Sequence, residues 1–112
     1  MSQGQWELQK YMTSEGGCPF DEWFFNLDAQ TQARIDARLD RVSLGNFGDR
    51  KSIGEGIYEL RFFFGPGYRI YYGLAGMQVV LLLVGGDKKG QNKDIQAAQR
   101  LWATYQNEQR EG

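Results

Sequence analysis

Three strand-forming runs separated by short glycine turns lie between residues 57 and 84, and they impose an antiparallel meander on the middle of the chain. The runs are Ile57–Phe64, Tyr68–Gly73 and Met77–Val84. Gly65-Pro66-Gly67 breaks the first from the second, and Leu74-Ala75-Gly76 the second from the third. Side chains alternate between faces along a strand, so the register of the first hairpin decides which residues share a face. A two-residue loop at Pro66-Gly67 would put Arg61 and Arg69 on opposite faces. A three-residue loop at Gly65-Pro66-Gly67 sets Phe63 against Arg69 and Arg61 against Tyr71. It collects Glu59, Arg61, Phe63, Arg69 and Tyr71 on one face, and Leu60, Phe62, Phe64, Tyr68, Ile70 and Tyr72 on the other. The second partition separates charge from apolar surface and is the one expected. Val79–Val84 is apolar throughout, as a central strand covered on both faces would be.

The flanking segments supply helices. Gln5–Met12 reads as a first strand. Pro19-Phe20-Asp21-Glu22 opens a short helix, with Asp21 as the expected N-cap and Trp23, Phe24 and Leu27 as anchors. A second helix runs from Asp28 to Ser43, with Ile35, Leu39 and Val42 inward and Arg34, Arg38 and Arg41 mostly outward. Asn46–Gly56 reads as a glycine-rich loop carrying Arg50 and Lys51. A last helix spans Asn92–Tyr105, with Ile95, Ala98, Trp102 and Tyr105 inward, and residues 106–112 read as a frayed polar tail. The expected architecture is a single α+β domain over residues 1–112: a mainly antiparallel four-stranded sheet, two N-terminal helices and a C-terminal helix.

Composition narrows the chemistry. The chain has 112 residues, no histidine and one cysteine, so His-based catalysis, His-ligated metals and thiolate metal cages are excluded. No metal and no cofactor is expected, and any proton transfer falls to Lys, Asp, Glu or Tyr. The lone Cys18, the lack of a signal pattern in Met1-Ser2-Gln3-Gly4-Gln5 and the lack of a bilayer-length apolar run point to the cytoplasm, away from membranes. Residues 1–44 carry four Lys/Arg against seven Asp/Glu, and residues 45–112 nine against seven, so an acidic front precedes a mildly basic back.

Arg61 and Arg69 present planar donor forks suited to phosphate. Held side by side, unneutralised and open to water, they would clamp a nucleic-acid backbone. The competing reading pairs Arg61 with Glu59 or Asp87 as a structural ion pair. Glu59 is either a base or the partner that holds Arg61. Lys88 and Lys89 follow the apolar strand, and Lys51 precedes the hairpin. These lysines are proton-transfer or phosphate candidates, or ordinary loop charge. Tyr71 is either a base platform or a packing aromatic.

The helix ending Arg38-Leu39-Asp40-Arg41, the run Gly45-Asn46-Phe47-Gly48-Asp49-Arg50-Lys51, the strand Ile57–Arg61, the stretch Phe64–Tyr72 and Leu83-Val84-Gly85-Gly86-Asp87-Lys88 together resemble the RelE/ParE toxin superfamily. The nearest resemblance is to its HigB-like, phage-derived "addiction module killer protein" branch, over Trp6 to Trp102. The resemblance implies a RelE-like fold, a helix-turn-helix antitoxin as partner, and a metal-independent endoribonuclease that cuts mRNA on the ribosome with the ribose 2′-hydroxyl as nucleophile. On this reading Arg61, Arg69, Lys88 and Lys51 are the catalytic candidates, and Lys89, Tyr71, Arg50 and Gln91 the RNA contacts. ParE-type relatives instead inhibit DNA gyrase without RNA cleavage, and a non-toxic homologue is the third possibility.

Overall fold

A computed structural model describes residues 5–111; the tetrapeptide Met1–Gly4, read above for a targeting signal, and Gly112 lie outside the described residues. The elements in chain order are β1 (Glu7–Lys10), α1 (Pro19–Phe24), α2 (Ala29–Ser43), β2 (Arg50–Gly54), β3 (Ile57–Arg61), β4 (Tyr68–Ala75), β5 (Val79–Asp87), a 3-10 turn (Lys88–Gly90) and α3 (Gln91–Glu111). They build one sheet in the order β1-β5-β4-β3-β2, antiparallel except for the β1–β5 pair. The α+β architecture is as expected, with one strand more.

The extra strand, β2, came from the segment read as a loop. Its sequence Arg-Lys-Ser-Ile-Gly offers one apolar residue, so no alternation announces it. It is held by a tight hairpin onto β3, in which Glu55 (φ 58) and Gly56 (φ 85) take the two left-handed positions. The apolar strand β5 lies next to the edge strand β1, and β4 is the middle strand.

Both sheet faces are buried, for different reasons. On one face α1 and α2 cover Leu60, Phe62, Ile70, Tyr72, Val80 and Leu82, using Phe20, Phe24, Ile35, Leu39 and Val42. On the other α3 lays Ala98 and Trp102 over Ile57, Tyr71, Leu81 and Leu83. Two glycines permit this closeness. A Cβ on Gly73 would overlap the Trp102 ring, and one on Gly85 the Trp23 ring. The strand glycines of Val84-Gly85-Gly86 thus mark where a helix side chain lies flat on the sheet.

Three helix details differ from expectation. The α1 N-cap is Cys18, with Pro19 presetting the first helical φ, and Asp21 instead pairs with Lys10 at 2.8 Å. Helix α3 continues to Glu111 rather than fraying after Tyr105, because no glycine or proline interrupts its polar end. Arg38 points inward: its guanidinium crosses from α2 to the backbone that follows it, as described below. Among the described residues, no helix is long and apolar enough to cross a membrane.

Candidate phosphate-binding site

The β3–β4 register places Arg61 directly opposite Arg69, with Glu59 opposite Tyr71 and Leu60 opposite Ile70. The expected pairing of Arg61 with Tyr71 is therefore shifted by two residues. The hairpin does not close at Gly65-Pro66-Gly67. Its last backbone bond runs from the Phe62 N–H to the Tyr68 carbonyl at 3.0 Å, leaving Phe63–Gly67 as a five-residue loop. A shift of two keeps every side chain on its expected face. The two arginines thus share a face, in one row that continues to Gly86 on β5.

Like charges directly opposite on neighbouring strands repel, and each guanidinium carries a carboxylate. Arg61 donates from Nε to Asp49 Oδ2 at 2.9 Å and from Nη2 to Asp49 Oδ1 at 3.0 Å. Arg69 donates from Nη1 to Glu59 Oε1 at 3.3 Å. The expectation of two unneutralised guanidiniums is corrected: a close cross-strand pair of cations needs counter-charge. The two ion pairs differ in kind. Asp49 and Arg61 are both about one-third exposed, at 31% and 34%. Glu59 is fully buried and Arg69 is 13% exposed. The hydrogen bonds from Arg61 hold the Asp49 carboxyl below its ordinary range, and Asp49 pushes Arg61 upward in turn.

Glu59 is the centre of a buried network rather than the partner of Arg61. Besides Arg69, it accepts from the Tyr71 hydroxyl at 2.9 Å and from Gln91 Nε2 at 2.7 Å. Burial, then the hydrogen bond to Glu59, push the Tyr71 hydroxyl far above the ordinary tyrosine range. Arg69 Nε has no partner among the described residues. Nearby, burial and then Asp87 raise the Asp94 carboxyl.

Asp49 is itself positioned by Arg38. Arg38 donates from Nη1 to the Arg61 carbonyl at 2.7 Å, and from Nη2 to the carbonyls of Phe47 and Asp49, each at 3.0 Å. Its guanidinium also lies 4.9 Å from the centre of the Phe62 ring. One arginine from α2 therefore ties the loop before β2 to the end of β3, where the Asp49–Arg61 pair forms. Desolvation pulls the Arg38 pKa downward, with Arg41 adding to it.

Arg61, Arg69 and Lys88 converge. Together with Phe62, Phe63 and Pro66 they line a concavity of about 390 Å³. The other candidates lie elsewhere. Lys51 is exposed on β2 opposite Glu59, on the same face but outside the concavity. Lys89 is exposed on the 3-10 turn, whose backbone Asp87 caps, and also falls outside it. Tyr71 is not a base platform: it is fully buried beneath α3 and committed to Glu59. Gln91 turns inward to the same carboxylate. Arg50 occupies the opposite face, because it pairs across strands with Leu60. There it donates to the Tyr72 hydroxyl at 3.3 Å and lies over Phe47 at 4.3 Å. Among the described residues, no three Asp, Glu, His or Cys side chains gather as metal ligands would.

Sequence reasoning missed Asp49 and Arg38, and placed Phe63 on the arginine face without giving it a role. Asp49 carried a usable signal, as the one carboxylate in the loop Gly45–Lys51. Arg38 carried none, because its reach depends on how the loop returns past α2.

An uncharacterized protein of Haemophilus influenzae is 47% identical to this chain over 83 residues, covering 73% of this chain and 84% of that protein. The profile of the family described as "Phage derived protein Gp49-like (DUF891)" matches residues 22–103. That span holds every residue of the concavity and of the network behind it. The chain belongs to the phage-derived Gp49-like family.

Proposed function

We propose that this protein is the toxin of a type II toxin–antitoxin module, HigB-like within the RelE/ParE superfamily, and that it cuts mRNA in the cytoplasm without a metal. The observation that carries the reading is the meeting of Arg61, Arg69 and Lys88 in one open concavity. Cleavage by the ribose 2′-hydroxyl forms an O2′–P bond and breaks the P–O5′ bond, leaving a 2′,3′-cyclic phosphate and a 5′-hydroxyl. The pentacoordinate intermediate carries extra negative charge, and preorganised guanidinium donors stabilise it most where water is excluded. Arg69 is fixed for this task by Glu59. Arg61 is held in waiting by Asp49, and a partly exposed ion pair contributes little to stability, so a phosphate can replace that carboxylate. The Lys88 amine, in the same concavity, passes the proton released by the attacking 2′-hydroxyl to the departing 5′-oxygen.

The chain has a net charge of −1, so it neutralises few phosphates and binds free RNA weakly. The ribosome then presents the substrate, and a helix-turn-helix antitoxin covers the toxin when growth continues. The test is induced expression with and without the neighbouring helix-turn-helix reading frame. Growth arrest with cleaved transcripts, relieved by the neighbour, is the expected result. Growth unaffected by the chain alone contradicts the toxin reading.

One observation favours a second reading. Both guanidiniums already hold carboxylates, as they would in a relative that performs no RNA chemistry. A ParE-like gyrase inhibitor then gives DNA damage with intact mRNA, and a non-toxic homologue gives neither.

A further inference from the structure

Three phenylalanines in a row, Phe62-Phe63-Phe64, close the end of β3. The outer two are anchored. Phe62 is buried, its ring edge-on to Phe64 at 5.9 Å, and Phe64 packs on Tyr68 at 5.5 Å. The Arg34 guanidinium caps Phe64 at 3.8 Å. The middle ring, the first residue of the loop, stands with Arg61 and Arg69 instead, where Phe63 is 83% exposed. The loop beneath it is defined: the Gly67 N–H closes onto the Phe64 carbonyl at 3.2 Å, with Gly65 at φ 57. Of the large exposed apolar side chains Met12, Phe25, Leu44, Phe63 and Met77, Phe63 alone lines the concavity with Arg61, Arg69 and Lys88. No core contact accounts for an aromatic ring held in water on a fixed loop beside three cations.

We infer that Phe63 is the base platform of this site. An unstacked base lies on its ring while the adjoining phosphate is held by Arg61, Arg69 and Lys88. The inference rests on the nuclease reading and names its substrate class: single-stranded RNA, with an unpaired nucleotide beside the phosphate that is cut. Every base has a π face, so a lone aromatic platform selects for single strands and tolerates any sequence. A base inside a duplex is already stacked and its face is closed to Phe63. The role once expected of Tyr71 thus passes to a residue on the hairpin loop, two positions after Arg61.

The experiment is an NMR titration at low ionic strength, where phosphate contacts are least screened. The probe is a single-stranded 2′-deoxy octanucleotide, which lacks the nucleophile and cannot be cut. A second probe has the same sugar-phosphate chain with abasic positions throughout. Phe63→Ala is expected to weaken binding of the first probe about tenfold, and Phe63→Trp to restore it. Phe63→Leu, apolar but without a π face, is expected to behave as Phe63→Ala. All four proteins bind the abasic probe equally. If Phe63→Ala and Phe63→Leu bind the octanucleotide as the parent does while Arg61→Ala binds it less, the platform is overturned and the phosphate site stands. If the parent does not bind the octanucleotide, or Arg61→Ala and Phe63→Ala both leave binding unchanged, the platform is overturned, and the nuclease reading is then judged by transcript cleavage on the ribosome alone.

Discussion

Removing the Glu59 carboxylate is the most informative perturbation of the site. Glu59 is fully buried and accepts three hydrogen bonds, from Arg69 at 3.3 Å, Tyr71 at 2.9 Å and Gln91 at 2.7 Å. Glu59→Ala strands the Arg69 cation, only 13% exposed, and leaves the Tyr71 and Gln91 donors without an acceptor. Breaking one side of a buried ion pair costs about 3–5 kcal/mol, because the remaining charge is uncompensated. For a domain of this size each kcal/mol lowers Tm by about 4 °C, so the expected loss is about 12–20 °C. Replacing both partners with apolar residues removes the stranded charge. Glu59→Leu with Arg69→Met is therefore expected to recover more than half of that loss. Thermal unfolding of the parent, Glu59→Leu, Arg69→Met and the double variant, with Glu59→Ala beside them, followed by far-UV circular dichroism, closes the cycle. A Tm loss below about 4 °C in Glu59→Ala, or a double variant no more stable than that single one, refutes the assignment of Glu59 as the buried counter-charge that fixes Arg69.

Other outcomes follow from the same geometry. Asp49→Asn leaves the backbone ties of Arg38 in place and frees Arg61, so it is expected to tighten phosphate or oligonucleotide binding, read by the same titration; weaker binding contradicts a displaceable Asp49. The Tyr71 pKa is raised in the folded state, so its contribution to stability is full below its ordinary value of 10.0 and is lost as pH rises beyond it. Tyr71→Phe is accordingly expected to flatten the fall in Tm measured above pH 10.0, and an unchanged slope contradicts the buried hydroxyl. Gly73→Ala drives a methyl into the Trp102 ring and is expected to cost about 1–3 kcal/mol with a red-shifted or blue-shifted tryptophan emission; an unshifted Tm and spectrum contradict the close packing.

The legible and illegible parts of this chain divide along physical lines. Which residues share a face follows from alternation alone, so Arg61, Arg69 and Glu59 were grouped correctly while their pairing was off by two. That offset depends on how Phe64, Gly65, Pro66 and Gly67 fold on Tyr68, a local packing matter that the turn residues do not determine. Tyr71 lies on the cationic face, as alternation requires, yet it is buried. Where α3 begins to cover that face depends on the 3-10 turn after Asp87, which the pattern Lys88-Lys89-Gly90 does not announce. Arg50 could not be assigned to a face while β2 was read as a loop. The apolar stripes Ile35-Leu39-Val42 and Ala98-Trp102 were legible because burial writes the helical period directly into sequence. Of the carboxylates that neutralise the arginines, Glu59 was legible as a partner on that face, though paired with Arg61 rather than Arg69, whereas the Asp49–Arg61 pair was not, since it is brought together by the β2–β3 hairpin and by Arg38.

Arg61 and Lys88 are proposed to act on a scissile RNA phosphate, and the direct measurement is 5′-end mapping of a translated mRNA. Purified parent, Arg61→Ala and Lys88→Ala proteins are added to a reconstituted translation reaction, and new 5′-hydroxyl ends are counted over time. Ribosome-dependent cuts by the parent are expected, slowed about 100-fold or more by Arg61→Ala and also slowed by Lys88→Ala. Intact message under full translational arrest, or cutting by Arg61→Ala at the parent rate, contradicts it.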